Sequence, residues 1–171
     1  MAAGKSTIGR ELACMLHWRC IDLDAEIERR SGLLVHEIFA RHGEAHFRQL
    51  ESVTLQSVLN ATVNPTVLAL GGGTFIQAVN ADLLRERGAH VIFVELDIQQ
   101  LLQRCREAVD RSHTPRPLAA QNEAELCRLY EQRLPFYRQA NLTVSARGKH
   151  AQQVAREIAA ALGLSVAGKR G

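Results

Sequence analysis

Gly4-Lys5-Ser6-Thr7, running straight into Ile8-Gly9-Arg10-Glu11-Leu12-Ala13-Cys14-Met15-Leu16, is the stretch on which the reading of the fold turns. Ile8, Leu12, Met15 and Leu16 recur at i, i+4, i+7 and i+8, one stripe of an amphipathic helix opening near Lys5. A Gly-Lys-Ser at the mouth of a helix is the second half of the phosphate loop G-x-x-x-x-G-K-[ST]. The order has a chemical reason. Backbone N–H groups and the helix N-terminus bind phosphate oxygens, the lysine reaches the β- and γ-phosphates, and the hydroxyl ligates Mg²⁺. The tripeptide also arises by chance at helix starts, so the surrounding chain has to decide.

Working outward, extended and helical patterns alternate. Residues 19–23 read as a short extended piece, and 34–60 as one or two helices interrupted near Gly43. Val67-Leu68-Ala69-Leu70 is an apolar run closed by three glycines, which predicts a buried strand. A helix over about 79–88 ends at Gly88, and Val91-Ile92-Phe93-Val94 predicts the next strand. Asp97 can cap a helix with the stripe Ile98, Leu101, Leu102 and Cys105. Residues 109–121 lose all periodicity and carry Pro115 and Pro117, the mark of a surface loop. Asn122 with Glu125 restarts a helix, Leu142-Thr143-Val144 is a last strand, and a final helix through Val154, Ile158, Ala161 and Leu162 ends at Gly163. The tail 164–171 is expected to fray. Strands alternating with helices this long predict an α/β fold with a parallel sheet.

At 171 residues the chain is sized for one domain, here 1–163. Hydrophobic residues at 46% and charged residues at 23% exclude wholesale disorder. The net charge of +3 comes from scattered arginines without a like-charge run, which argues against a nucleic-acid surface and fits a small anionic ligand. Cys14, Cys20, Cys105 and Cys127 form no C-x-x-C pair and read as reduced, mostly packed thiols of a cytosolic protein. No apolar run reaches the ~18–20 residues of a membrane helix, and Lys5 and Arg10 precede no apolar signal segment. A soluble cytoplasmic protein without membrane partners is the expectation.

Asp22-Leu23-Asp24 closes the second extended segment, placing both carboxylates at a strand's C-terminal edge, where α/β ligands bind. Two apart in extended chain, they point to the same side, so one can serve Mg²⁺ and the other a substrate hydroxyl. The competing reading makes Asp24 a helix cap. Gly71-Gly72-Gly73 after a buried strand lets backbone approach a ligand, or forms a tight turn. Arg133 falls on the stripe of Leu126, Leu129 and Tyr130, and a guanidinium on an apolar face needs an anionic partner. That partner is a structural Glu or a ligand carboxylate. His42 and His46 flank Glu44 as H-x-E-x-H, which is not the H-E-x-x-H zinc pattern. Trp18 reads as packing, and Arg85-Glu86-Arg87 as a solvated face.

Taken in order, G-K-S-T at Gly4–Thr7, D-x-D at Asp22–Asp24, F-R-x-x-E at Phe47–Glu51, G-G-G at Gly71–Gly73, R-P-L at Arg116–Leu118 and R-x-P-x-Y at Arg133–Tyr137 resemble the shikimate kinase family. The resemblance covers the chain to about residue 162. It implies a phosphate-loop kinase fold of three α/β/α layers, with substrate-binding helices at about 25–60 and a lid at about 109–121. It implies transfer of the ATP γ-phosphoryl group to the 3-hydroxyl of shikimate, with ATP and Mg²⁺ as cofactors, by a monomer. By position, Gly4, Lys5, Ser6 and Thr7 fall in the ATP–Mg²⁺ site and Asp22 near the metal. Asp24 resembles the carboxylate that orients the attacking hydroxyl. Arg48 and Arg133 resemble the pair that clamps the substrate carboxylate, with Gly71, Gly72 and Gly73 lining the pocket. Arg116 resembles the lid arginine that meets the transferring phosphoryl group, and Arg111 a residue stacked on adenine. The family's first strand and opening loop glycine precede the position of Met1, so a chain beginning there is expected to be poorly stable and poorly active until they are restored. Two other readings stay open: a kinase for another small hydroxy acid such as gluconate, and a remnant that binds ligand without turnover.

Overall fold

The computed structural model describes residues 4–100, 102–103 and 123–165. The expected lid at 109–121 with Arg111 and Arg116, Leu101 and Cys105 of the helix stripe, Asn122, and the tail beyond 165 lie outside the described residues.

Gly4 opens the first helix, α1 (Lys5–Leu16), in the left-handed region at φ 74°, which glycine enters at little steric cost. Its carbonyl accepts the Ile8 N–H at 2.8 Å, the first turn of the helix. Strand β1 (Arg19–Asp22) follows, and then α2 (Leu23–Ser31), α3 (Val35–Ala61), β2 (Thr66–Ala69), α4 (Ala78–Glu86), β3 (Ile92–Glu95), α5 (Glu123–Tyr137), β4 (Leu142–Ser145) and α6 (Ala151–Ala161). Asp97 does cap the turn after β3, accepting the Gln99 N–H at 2.9 Å. The interruption expected near Gly43 is present inside α3, where Gly43 takes φ 79° and ψ 174°.

β1 pairs with β2 in parallel from Arg19 opposite Thr66 to Asp22 opposite Ala69. β3 pairs with β4 in parallel from Ile92 opposite Leu142 to Glu95 opposite Ser145. Among the described residues the two ladders are not hydrogen-bonded to each other. Side chains nevertheless alternate as a strand layer requires. Val67, Ile92 and Val94 pack with Ile8, Leu12, Val154 and Ile158 of α1 and α6, whereas Leu68, Leu70 and Val91 pack with Leu23, Ile38, Phe47 and Leu84 of α2, α3 and α4. Helices therefore cover both faces of the parallel strands, and the strands' C-terminal ends are left open between the two helix layers.

Two expectations need correction. Asp22 and Asp24 do not share an extended segment: β1 ends at Asp22, and Asp24 stands in the first turn of α2. The reason is that the Asp22 carboxylate accepts the backbone N–H groups of Asp24 (3.1 Å) and Ala25 (3.3 Å), turning the chain into a helix at that point. The capping role considered for Asp24 thus belongs to Asp22. Cys14 is not packed: it is exposed, while Cys20 and Cys127 are half-buried, and all three are free thiols.

Candidate active site

The open ends of β1 and β2 face the N-terminus of α1, and the side chains there are tied to one another. Glu51 on α3 is fully buried, at 0% exposure, and takes three hydrogen bonds. Its Oε1 accepts the Thr74 hydroxyl at 2.6 Å, and its Oε2 accepts Arg48 Nη1 at 2.9 Å and Gln77 Nε2 at 2.7 Å. A buried carboxylate saturated in this way avoids the desolvation penalty that an unpaired one would carry. Arg48 is held at its other end by Glu44, whose Oε1 accepts from Nε (3.2 Å) and Nη2 (2.9 Å).

The turn after β2 threads between these groups. A Cβ on Gly71 would stand 2.9 Å from Glu51 Oε1, 3.1 Å from Asp24 Oδ1 and 3.2 Å from Thr74 Oγ1. A Cβ on Gly73, a buried position, would fall inside the Arg48 guanidinium. Two of the three glycines therefore serve close approach of the turn to the side chains of Asp24, Arg48, Glu51 and Thr74. From the far side, the Tyr137 hydroxyl donates to the Gly72 carbonyl at 2.5 Å, and its ring stacks on Phe93 with centroids 5.1 Å apart. Arg133 is buried on α5 beside Leu126, as the stripe predicted. Its Nε makes no hydrogen bond among the described residues.

Electrostatics bind these groups into one site. Burial pulls the Lys5 ammonium below its usual pKa; Asp24 and Asp22 oppose that shift, and Arg133 adds to it. Burial raises the Asp24 carboxyl, and the neighbouring charges of Asp22 and Glu51 push it further up. Burial likewise raises the Tyr137 phenol, against the pull of Arg133 and Arg48. An acid poised upward beside a desolvated lysine is an arrangement found at catalytic sites. Beside it lies an apolar cleft lined by Lys5, Leu70, Gly71, Gly72, Phe93 and Tyr137 among others.

Lys5, Asp22, Asp24, Arg48, the three glycines and Arg133 are therefore brought together. Gly4 and Ser6 are half-buried and Thr7 exposed at the mouth of α1, which has no acidic residue in its first turn to repel an anion. Arg111 and Arg116 lie outside the described residues. Glu51 stood in the F-R-x-x-E motif without a role of its own, and Thr74 and Gln77 were not singled out by sequence. Glu44, Arg48 and Glu51 at i−4 and i+3 form a readable helix ion-pair pattern. Thr74 and Gln77 join from 23 and 26 residues away, and no local signal marks them. No group of three or more His, Cys, Asp or Glu suited to hold a metal occurs among the described residues.

A glycine-opened helix start carrying Lys5, a raised aspartate and two arginines at the open end of a parallel strand layer are the features of a phosphate-loop kinase acting on a small anionic molecule. The comparisons narrow this. The sequence matches the family described as shikimate kinase over residues 1–163. The shikimate kinase of Nitrobacter winogradskyi is 43% identical over 147 residues, which span 86% of this chain and 66%, just under two thirds, of that protein. That of Moorella thermoacetica is 40% identical over 163 residues, spanning 95% and 90% of the two chains. The shikimate kinase of Acinetobacter baumannii, solved in complex with shikimate, superposes with a TM-score of 0.82 at 33% identity, covering 95% of this chain and 89% of that one. The chain belongs to the shikimate kinase family, whose activity is ATP-dependent phosphorylation of shikimate. The family match favours shikimate over another small hydroxy acid such as gluconate.

Proposed function

We propose that this chain transfers the γ-phosphoryl group of ATP to the 3-hydroxyl of shikimate, with the residue roles that follow. The observation that carries the reading is Arg133: a buried guanidinium, 7% exposed, whose Nε lacks a partner among the described residues, beside Lys5 and Tyr137. Such a donor suits an anionic oxygen, and the carboxylate of shikimate supplies one. Arg133 and Arg48 together grip the substrate carboxylate, and Gly71, Gly72 and Gly73 form the adjacent wall. Asp24 orients the attacking hydroxyl and takes its proton, a role that an upward-shifted carboxylate suits.

Gly4, Lys5, Ser6 and Thr7 hold the triphosphate through the left-handed turn at Gly4 and the α1 N-terminus. Asp22 Oδ1 is engaged in capping α2, so Asp22 Oδ2 and Ser6 Oγ are the oxygens this site offers to Mg²⁺. When bound, that ion neutralises charge on the β- and γ-phosphates. Arg116 on the transferring phosphoryl group and Arg111 on adenine are carried by the motif resemblance alone. No helix among the described residues is long and apolar enough to cross a membrane. We infer a monomer acting in the cytoplasm.

ADP release with Mg·ATP tests the reading. Turnover of shikimate is expected; turnover of gluconate with none of shikimate overturns it. Arg133→Ala should weaken shikimate binding in calorimetry by roughly 10–150-fold, from a charge-assisted pair of about 1.5–3 kcal/mol. ATP binding should change little. An unchanged shikimate affinity with a lowered melting temperature would make Arg133 a structural residue. Gly73→Ala should raise the shikimate KM by about tenfold or more, because the new methyl displaces the Arg48 guanidinium and strains its hydrogen bonds to Glu44 and Glu51. Steady-state kinetics with shikimate varied at saturating ATP reads this directly.

A further inference from the structure

Arg48 can present its guanidinium to a substrate only if something fixes it, and its two anchors are unequal. Glu44 is 64% exposed, so that tie is screened by water and weak. Glu51 is wholly buried, and its carboxylate is the firm anchor. A carboxylate held by Arg48 alone could still rotate. Thr74 on Oε1 and Gln77 on Oε2 occupy both oxygens and leave one orientation. Both donors come from the turn that carries the substrate-facing glycines, and the turn is closed on itself: Asn80 Nδ2 donates to the Thr74 carbonyl at 3.1 Å, and Asn80 is 1% exposed.

We propose that Thr74 and Gln77 are positioning residues for recognition of the substrate carboxylate, fixing Glu51 so that Glu51 fixes Arg48. The relay couples the glycine turn to α3, so the pocket wall and the arginine that reads the substrate move as one piece. The inference rests on the reading of Arg48 as a carboxylate ligand.

The test uses Thr74→Val, Thr74→Ser and Gln77→Met in the full chain. Thr74→Val and Gln77→Met should each raise the shikimate KM about three- to tenfold, with kcat and the ATP KM within twofold of the parent. Thr74→Ser, which keeps the hydroxyl, should restore the parent KM. A second readout needs no substrate: the Arg48 Nε–Hε signal in a ¹⁵N correlation spectrum, assigned by its loss in Arg48→Lys. It should be dispersed in the parent and in Thr74→Ser, and collapse toward the position of free arginine in the other two variants. Folded variants with unchanged KM and an unmoved Arg48 signal would overturn the proposal, as would equal losses for both substrates. If the parent bound Mg·ATP but did not turn over shikimate, the functional reading would fail, while the Arg48 signal would still decide whether the relay exists.

Discussion

Asp24→Asn is expected to lower kcat with shikimate by about 10²–10⁴-fold, the usual contribution of a positioned general base. The amide is the same size and can still meet the hydroxyl, so KM should move far less than kcat. A second loss adds to the first: Asp24 supports the charge of Lys5, so removing it lets the lysine's pKa fall further and weakens the cation aimed at the phosphates. In the parent enzyme kcat/KM should rise with pH through an apparent pKa above the ordinary aspartate value, because burial, Asp22 and Glu51 all raise the Asp24 carboxyl. Stability should move the opposite way. A carboxyl whose folded pKa is raised binds more protons in the folded than in the unfolded state, so stability falls as pH rises through the interval between the two values. Asp24→Asn should therefore melt higher than the parent at neutral pH. That gain should vanish below the ordinary aspartate pKa of about 3.9, where Asp24 is protonated in both states. Melting curves at pH 7.5 and pH 3.5, set beside ADP release, check both halves. Full activity in the asparagine variant would remove Asp24 from the chemistry.

The parts of this site that were legible in the sequence are those encoded locally. The helix opening at Lys5 follows from one apolar stripe, and Arg133 could be placed inside because it shares a stripe with Leu126. The short strands were readable as apolar runs ended by glycine or by polar residues, and each lies within a residue or so of its expected place. What was not legible depends on side chains competing for backbone. Asp22 and Asp24 are chemically equivalent in the sequence, and only the N–H groups of the next turn determine that Asp22 becomes the cap. Glu51 could be read as half of an i, i+3 pair with Arg48, but its other two partners lie beyond β2, on a turn whose conformation is set by tertiary packing. The pairing of the strands into two separate ladders is likewise a long-range outcome, which no periodicity within β1 to β4 specifies.

Glu51→Ala is the substitution with the largest expected effect on stability, although Glu51 is not placed in contact with substrate. Truncation leaves Thr74 Oγ1, Gln77 Nε2 and Arg48 Nη1 without their acceptor, and Thr74 is fully buried. Removing one member of a buried ion pair costs about 3–5 kcal/mol, and here two further donors lose their acceptor while Arg48 keeps only Glu44. Against a domain stability of about 5–15 kcal/mol, this is a large fraction of the whole. At roughly 2–4 °C per kcal/mol for a chain of this size, the melting temperature should fall by about 6–20 °C. Shikimate affinity should fall as well, since Arg48 keeps only its exposed anchor on Glu44. Glu51→Gln should be milder: its amide oxygen can accept from Arg48 and Gln77 while its NH₂ donates to the Thr74 hydroxyl, which can rotate to accept. The order of melting temperatures, parent above Glu51→Gln above Glu51→Ala, is the discriminating result. If Glu51→Ala melted within about 2 °C of the parent, water would have to reach the vacated site, and the glycine turn would be held to α3 by something other than this carboxylate.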